Sequence, residues 1–169
     1  MDRTSFVPVG VAVLTVSDTR TLETDTSGSL VVDTLGNLGH TIIDRAIVAD
    51  RVEDIRLVVG GFNANRDVQV VITTGGTGIT ARDVTPEAIA PLVTKQIEGF
   101  GELFRMLSYA DIGASTIQSR AVGAICDKTL VFALPGSPGA VRLALEKILV
   151  PQLDLRTNPC NFVMLFDRL

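Results

Sequence analysis

The residues best suited to chemistry are gathered in one glycine-rich turn, Thr73-Thr74-Gly75-Gly76-Thr77-Gly78. Closely spaced glycines let main-chain N–H groups approach an anion unobstructed, and Thr74 and Thr77 add hydroxyl donors, so the turn suits phosphate groups. A plain tight turn at a strand end uses the same residues. No Gly-Lys-Ser/Thr follows it, so it is not a Walker loop, and its spacing does not fit the dinucleotide fingerprint. Two aspartates, Asp50 and Asp83, also have types suited to chemistry. Asp50, with Glu53 three residues on, is either the N-cap of a capping box or a functional acid. Asp83 is harder to account for as a cap, because Thr85 already fills that position. An acid beside a phosphate loop repels its ligand unless a cation bridges them, which points to Mg²⁺ and to nucleotide chemistry.

The elements that would position these groups follow from periodicity. Residues 9–16 are a continuous apolar run, as a strand covered on both faces is, and residues 41–48 are β-branched and apolar again. Between them Val31, Leu35 and Leu38 fall at i, i+4 and i+7, with Gly39 placed to stop a helix. Ile55, Val59 and Phe62 mark a second helix, and residues 68–73 a third strand that ends in the glycine turn. Thr85-Pro86-Glu87 reads as cap, first-turn proline and first-turn acid of a short helix. Phe100, Leu103, Phe104 and Leu107 trace the core face of a further helix over 100–107. Residues 121–126 and 129–134 read as two strands turning at Asp127-Lys128. Ser137-Pro138 then opens a last helix with Val141, Leu145 and Ile148 buried. Pro151 and Pro159 argue for a tail, from about residue 150, that runs extended over the surface or over a neighbouring subunit. His40, between the first helix and second strand, reads as a surface turn residue and is assigned no role.

Strands alternating with helices at this rhythm predict a three-layer α/β/α sandwich, mostly parallel with an antiparallel strand at one end. In such a sheet ligands sit beyond the carboxyl ends of the strands. Ser17-Asp18, Asp50, residues 73–78 and Pro135-Gly136-Ser137 should therefore converge.

The bulk composition narrows the function classes. At 169 residues with 46% hydrophobic and 20% charged side chains, one domain with a sizeable core is expected and disorder is not. A net charge of −4 offers no basic field for nucleic acid. Cys126 and Cys160 lack metal-ligand spacing and read as reduced thiols. No signal pattern and no membrane-length apolar run is seen, so a cytoplasmic location is the expectation.

Taken together, the motifs make the chain similar to the molybdopterin adenylyltransferase family, of MoaB and Mog type, which includes a domain of gephyrin. The resemblance is carried by Ser17-Asp18, Asp25-Thr26-Ser27-Gly28, residues 73–78, Arg82-Asp83-Val84-Thr85-Pro86-Glu87, Ser119-Arg120 and Leu134-Pro135-Gly136-Ser137-Pro138. Residues 99–107 and the proline-containing tail look more like the MoaB branch. The resemblance implies Mg²⁺-assisted transfer of AMP from ATP to the terminal phosphate of molybdopterin, with pyrophosphate leaving. It makes Asp50 and Asp83 the catalytic and Mg²⁺-binding acids, although Ala49 stands where a proline usually precedes the first. The nucleotide and pterin phosphates are assigned to Ser17, Asp18, Thr73, Thr74, Gly75, Gly76, Thr77, Gly78, Ser119, Arg120, Pro135, Gly136 and Ser137, with the last five on the pterin side. It also implies a homotrimer or hexamer and a molybdenum-insertion protein as a partner. A non-catalytic protein that binds the pterin or the nucleotide and hands it on is the alternative.

Overall fold

A computed structural model describes residues 4–169. Its six-stranded sheet has the order β2-β1-β3-β6-β5-β4. The strands are β1 (Gly10–Val16), β2 (Thr41–Val48), β3 (Val70–Thr74), β4 (Lys95–Gln96), β5 (Val122–Cys126) and β6 (Thr129–Leu134). β1 pairs in parallel with β2 and β3, and β3 with β6, while β5 runs antiparallel to both β6 and β4. The sheet is mostly parallel with one antiparallel strand, as the strand-helix rhythm predicts.

Alternation along each strand divides the core in two. Val11, Val13, Val70, Ile72, Leu130, Phe132 and Leu134 face one layer, made by α1 (Thr26–Asn37), α4 (Glu98–Ile112) and α5 (Pro138–Ala144). Ala12, Leu14, Val16, Val71, Val131 and Ala133 face α2 (Val52–Ala64) and α3 (Thr85–Ile89). Successive residues of a strand point to opposite faces, so a sheet buried on both sides needs apolar residues at every position. The β1 and β6 strands are buried throughout. Burying one Leu or Phe contributes about 1.5–3 kcal/mol, and Leu14, Ile55, Phe104 and Phe132 are all buried to within 1% of completely.

Several expectations change in the structure. Leu38 is 45% exposed, because α1 ends at Asn37 and Gly39, at φ +96°, reverses the chain before a further helical turn forms. The α4 helix is longer than residues 100–107. It buries Phe100, Phe104 and Ser108, and it leaves Leu103 exposed beside Met106, Tyr109 and Ile112. His40 is buried rather than a surface turn residue; its Nδ1 accepts from the Val9 amide at 3.3 Å and its ring leans on Phe6. Burial holds its pKa below the ordinary value, with Asp154 opposing.

The tail coils instead of running extended. Pro151 is the second residue of the short α6 (Val150–Gln152), which follows a π turn at Leu145–Leu149, and in a first turn a missing amide is tolerated. Leu153, Leu155 and Val163 bury themselves against the α1/α4/α5 layer. Asn161 holds the bend: its amide donates to the Leu155 and Thr157 carbonyls, and its oxygen caps the 3₁₀ segment Phe162–Arg168.

Candidate active site

The carboxyl ends of β1, β2, β3 and β6 bring their loops to one end of the sheet. β1 lies between β2 and β3, and its connection leaves over the α1 layer, whereas β3 leads to α3 on the other face. Loops that part in opposite directions open a crevice at the strand ends. The glycine turn occupies it.

Gly75 and Gly76 take φ of +104° and +65°, conformations L side chains rarely adopt. A Cβ on Gly75 would lie 2.2 Å from the Val16 carbonyl oxygen, and one on Gly76 would lie 2.4 Å from Thr85 Oγ1 and 3.2 Å from Asp50 Oδ1. The turn thus needs glycine for both curvature and space. It is held from behind: the Gly75 amide donates to Leu134 O at 3.0 Å, and the Thr85 hydroxyl donates to Gly75 O at 2.8 Å. No main-chain carbonyl among the described residues accepts from the Gly76 or Thr77 amides. Those two donors suit an anion.

The hydroxyls behave otherwise than expected. Thr73 and Thr74 are fully buried, and the Thr74 hydroxyl donates to Pro135 O at 3.1 Å, tying the β3 and β6 loops together. They shape the turn from beneath. Thr85 does not cap α3, whose cap is Val84 without a side-chain bond, because its hydroxyl is engaged with Gly75. Ser17 Oγ accepts from the Thr19 and Arg20 amides at 3.2 Å each. Ser137 is a true N-cap, accepting from Ala140 N at 3.3 Å.

Asp50 is not a cap either. The α2 cap is Arg51, with no side-chain bond, and the Asp50 amide donates to Asp18 Oδ1 at 3.2 Å. Its carboxyl faces the turn instead. Burial, reinforced by Asp18 and Asp83 and opposed by Arg82, raises its pKa above the ordinary carboxylate value. Asp83 sits across the turn, its Oδ2 2.8 Å from where a Cβ of Gly78 would stand. The Thr80 hydroxyl donates to it at 2.6 Å and the Thr80 amide at 2.9 Å; with the Gly78 amide and the Arg120 charge, these hold its pKa low.

Arg120, expected on the pterin-phosphate side, has its donors engaged within the protein. Its Nε donates to Gly78 O at 2.6 Å, its Nη2 to Asp83 O at 2.7 Å and its Nη1 to Glu87, while its amide reaches Thr77 O at 2.9 Å. It staples the turn to Asp83 and α3. Ser119, Pro135 and Ser137, by contrast, line a cavity of about 220 Å³ with Thr77 and Gly78. Ser17, Thr74 and Gly136 line a smaller one of about 110 Å³ beside the head of α1.

Asp25 was visible in the sequence only as part of a motif, and the structure makes it a buried hub. It accepts from the Thr15 hydroxyl at 2.7 Å, the Gly28 amide at 2.8 Å and Arg45 Nη2 at 2.9 Å. Burial pushes its pKa up, and those hydrogen bonds with the Arg45 charge outweigh it, so the net direction is down. The Ser27 hydroxyl, donating to Gly136 O at 2.8 Å, joins this hub to the β6 loop. Spacing alone carries no signal for Arg45, twenty residues away on β2.

No group of three or more His, Cys, Asp or Glu side chains among the described residues forms a ready metal cage. Mg²⁺ does not require one, since it commonly takes one or two carboxylates and completes its shell with phosphate oxygens and water. Asp50 and Asp83 present hard oxygen donors of that kind, and the carboxylates crowding Asp50 are a field that a cation relieves. The residues present fit the ion.

An open, mostly parallel sheet with an anion-shaped glycine turn and converging acids at its crevice defines an α/β protein built around a ligand site at its strand ends. Residues 12–155 match the family described as "Probable molybdopterin binding domain", and the chain belongs to that family of molybdenum cofactor biosynthesis. It is similar to molybdenum cofactor biosynthesis protein B of Escherichia coli K12, 53% identical over 159 residues and 94% of each chain. The protein of that name from Bacillus anthracis is 52% identical over 142 residues, 83% of this chain and 84% of the relative. A crystal structure of molybdenum cofactor biosynthesis protein B superposes with a TM-score of 0.84 at 49% identity, covering 87% of this chain and 92% of that one. The tungsten cofactor synthesizing protein MoaB of Pyrococcus furiosus gives 0.73 at 38% identity, covering 85% and 91%. No helix among the described residues is long and apolar enough to cross a membrane.

Proposed function

We propose that the chain performs an adenylyl transfer in molybdenum cofactor biosynthesis, moving AMP from ATP to the terminal phosphate of molybdopterin. An oxygen of that phosphate attacks the α-phosphorus of ATP and forms the new P–O bond. The bond from the α-phosphorus to the bridging oxygen breaks, and pyrophosphate leaves with the electron pair. The attacking oxygen is already anionic near neutral pH, so no side chain has to withdraw a proton. That agrees with a site whose nearest histidine, His40, is engaged with Val9 elsewhere.

The chain's own contribution is alignment and preorganised donors. The Gly76 and Thr77 amides are set to receive phosphate oxygens, and the cavity lined by Ser119, Pro135 and Ser137 to hold the pterin side. Arg120 fixes the turn against Asp83. Asp50 and Asp83 would hold Mg²⁺ beside the nucleotide, and the ion would supply neutralisation of the phosphate charge. The exposed stripe of Leu103, Met106, Tyr109 and Ile112 on α4 supports self-association of the kind the family resemblance implies.

One observation carries this reading: Asp50 and Asp83, from different loops, both turn their carboxyls to the glycine turn instead of capping the helices that follow them. A protein that only bound and handed on an anion would have no use for two repelling acids there. The test is pyrophosphate release from Mg-ATP. Release that depends on added molybdopterin is expected; tight binding of both ligands without release would leave the chain a carrier.

A further inference from the structure

The crevice presents a charge problem. Asp18, Asp50 and Asp83 surround the turn with negative charge, while a nucleoside triphosphate brings more. Cations must offset both, and the arginines near the mouth differ in how far they are already committed.

Arg120 is tied to two carbonyls and to Glu87. Arg20 donates to Thr24 O in its own turn, beside the small cavity at the head of α1. Arg51 pairs with Asp54 on its own helix. Arg82 alone reaches across the mouth, from the loop after β3 to Asp18 after β1, and its side chain is 69% exposed with a partner 42% exposed. Exposed ion pairs are weak locks, readily exchanged for a better anion. The backbone beneath is nonetheless fixed: the next residue, Asp83, is anchored through Thr80 and stapled by Arg120. Arg82 is also the cation whose charge opposes the rise in the Asp50 pKa, so its field reaches that carboxyl as well as Asp18.

We infer that Arg82 is the polyphosphate-binding cation of this site, held on Asp18 in the empty protein and transferred to the phosphates of the entering nucleotide. This rests on the adenylyl-transfer reading and deepens it. A planar guanidinium fork matches two phosphate oxygens at once, and leaving Asp18 costs little because that pair is solvated. During transfer the same fork neutralises the charge that the pyrophosphate gains as the α-phosphorus–oxygen bond breaks. Asp18 then acts as the parking site that keeps Arg82 extended over the crevice between turnovers.

The test uses the full-length protein and inorganic tripolyphosphate with Mg²⁺, measured calorimetrically at low salt, so that no pterin chemistry is needed. Arg82→Gln should weaken binding about tenfold or more, and Arg82→Lys should recover part of the loss, as expected for a charge that has lost its fork. Both variants should melt within a degree or so of the wild type, because the pair removed is exposed. Asp18→Asn should tighten binding several-fold by freeing Arg82, about threefold on the scale of a surface pair, and most of that gain should vanish in the Arg82→Gln background. In turnover, Arg82→Gln should raise KM for Mg-ATP and lower kcat while leaving KM for molybdopterin unchanged. Equal binding by Arg82→Gln and wild type, or an Asp18→Asn gain that survives without Arg82, would overturn the inference alone. A wild-type protein that does not bind tripolyphosphate would overturn the nucleotide reading together with it.

Discussion

Asp25 precedes α1 and Asp50 follows β2, at the same end of one sheet, yet the fold surrounds the two carboxyls with opposite chemistry. Asp25 is 2% exposed and receives an amide, a hydroxyl and a guanidinium. Asp50 receives no such set; its neighbours include two further aspartates, and the cation acting on it is shared with Asp18. One pKa is driven down despite burial, the other up because of it. The difference separates an acid that builds the site from one left poised for a ligand. Burial does not separate these two acids; their partners do, Asp50 having the Asp18 amide and a shared Arg82 where Asp25 has a full set.

Removing the poised acid gives the sharpest test of this contrast. Asp50→Asn should lower turnover by about 10²–10³-fold, on the scale of losing one preorganised electrostatic group. It should also raise the melting temperature. A carboxyl with a raised folded-state pKa contributes stability at low pH that is lost as pH rises through that pKa, so at neutral pH the charge is a burden the amide removes. Turnover kept with lowered stability would return Asp50 to the role of a structural residue.

Asp25→Ala should do the reverse. It strands Arg45 and removes the α1 cap, destabilising the fold by about 3 kcal/mol in denaturant titration. Below the transition its kcat should stay within about threefold of wild type, a loss under 1 kcal/mol. A collapse of kcat in a fully folded Asp25→Ala protein would erase the distinction between the two acids.

Arg120→Gln tests whether a builder can act through a poised residue. Loosening the staple between Gly78, Asp83 and Glu87 should cut kcat about tenfold, a little over 1 kcal/mol, with Arg120→Lys recovering little because one ammonium cannot serve three separated oxygens. An unchanged kcat would mean that Thr80 and the Gly78 amide suffice to hold Asp83.

The smallest effect is in the pH dependence of stability. Asp25, with its folded-state pKa lowered, contributes stability that is present above its unfolded value near ~3.9 and is lost as pH falls through the folded value. Asp25→Asn should therefore flatten the acid limb of the stability curve below about pH 4. An identical limb in wild type and variant would show that the Gly28, Thr15 and Arg45 donors together do not favour the ionised carboxyl.

The parts of the fold written in local pattern were readable in advance. A continuous apolar run marked β1, β-branched residues marked β2 although Asp44 and Arg45 interrupt it and the strand is only half-buried, and Asp127, which takes a positive φ of 55°, marked the turn between β5 and β6. The two residues of β4, Lys95 and Gln96, are exposed and too few to show a period. The coiled tail depended on Asn161 meeting carbonyls at Leu155 and Thr157, which two prolines in the sequence do not disclose. The candidate site divides the same way. The glycine turn and its acids are contiguous motifs and could be found; the pairs that organise them, Arg45 with Asp25 and Arg82 with Asp18, join different loops and strands and leave no spacing to read. Thr85 shows the limit of a capping rule, since a tertiary carbonyl on Gly75 took the hydroxyl the rule reserved for a helix.

The most direct test of adenylyl transfer follows the α-phosphorus itself. Wild-type protein is given molybdopterin, Mg²⁺ and ATP labelled at the α-phosphate, and the pterin product is isolated. The account predicts label on the pterin in equal amount to the pyrophosphate released, with the label nearly absent in Asp50→Asn. Label that remains on ATP or appears only as free AMP, while both ligands are shown to bind, would contradict it.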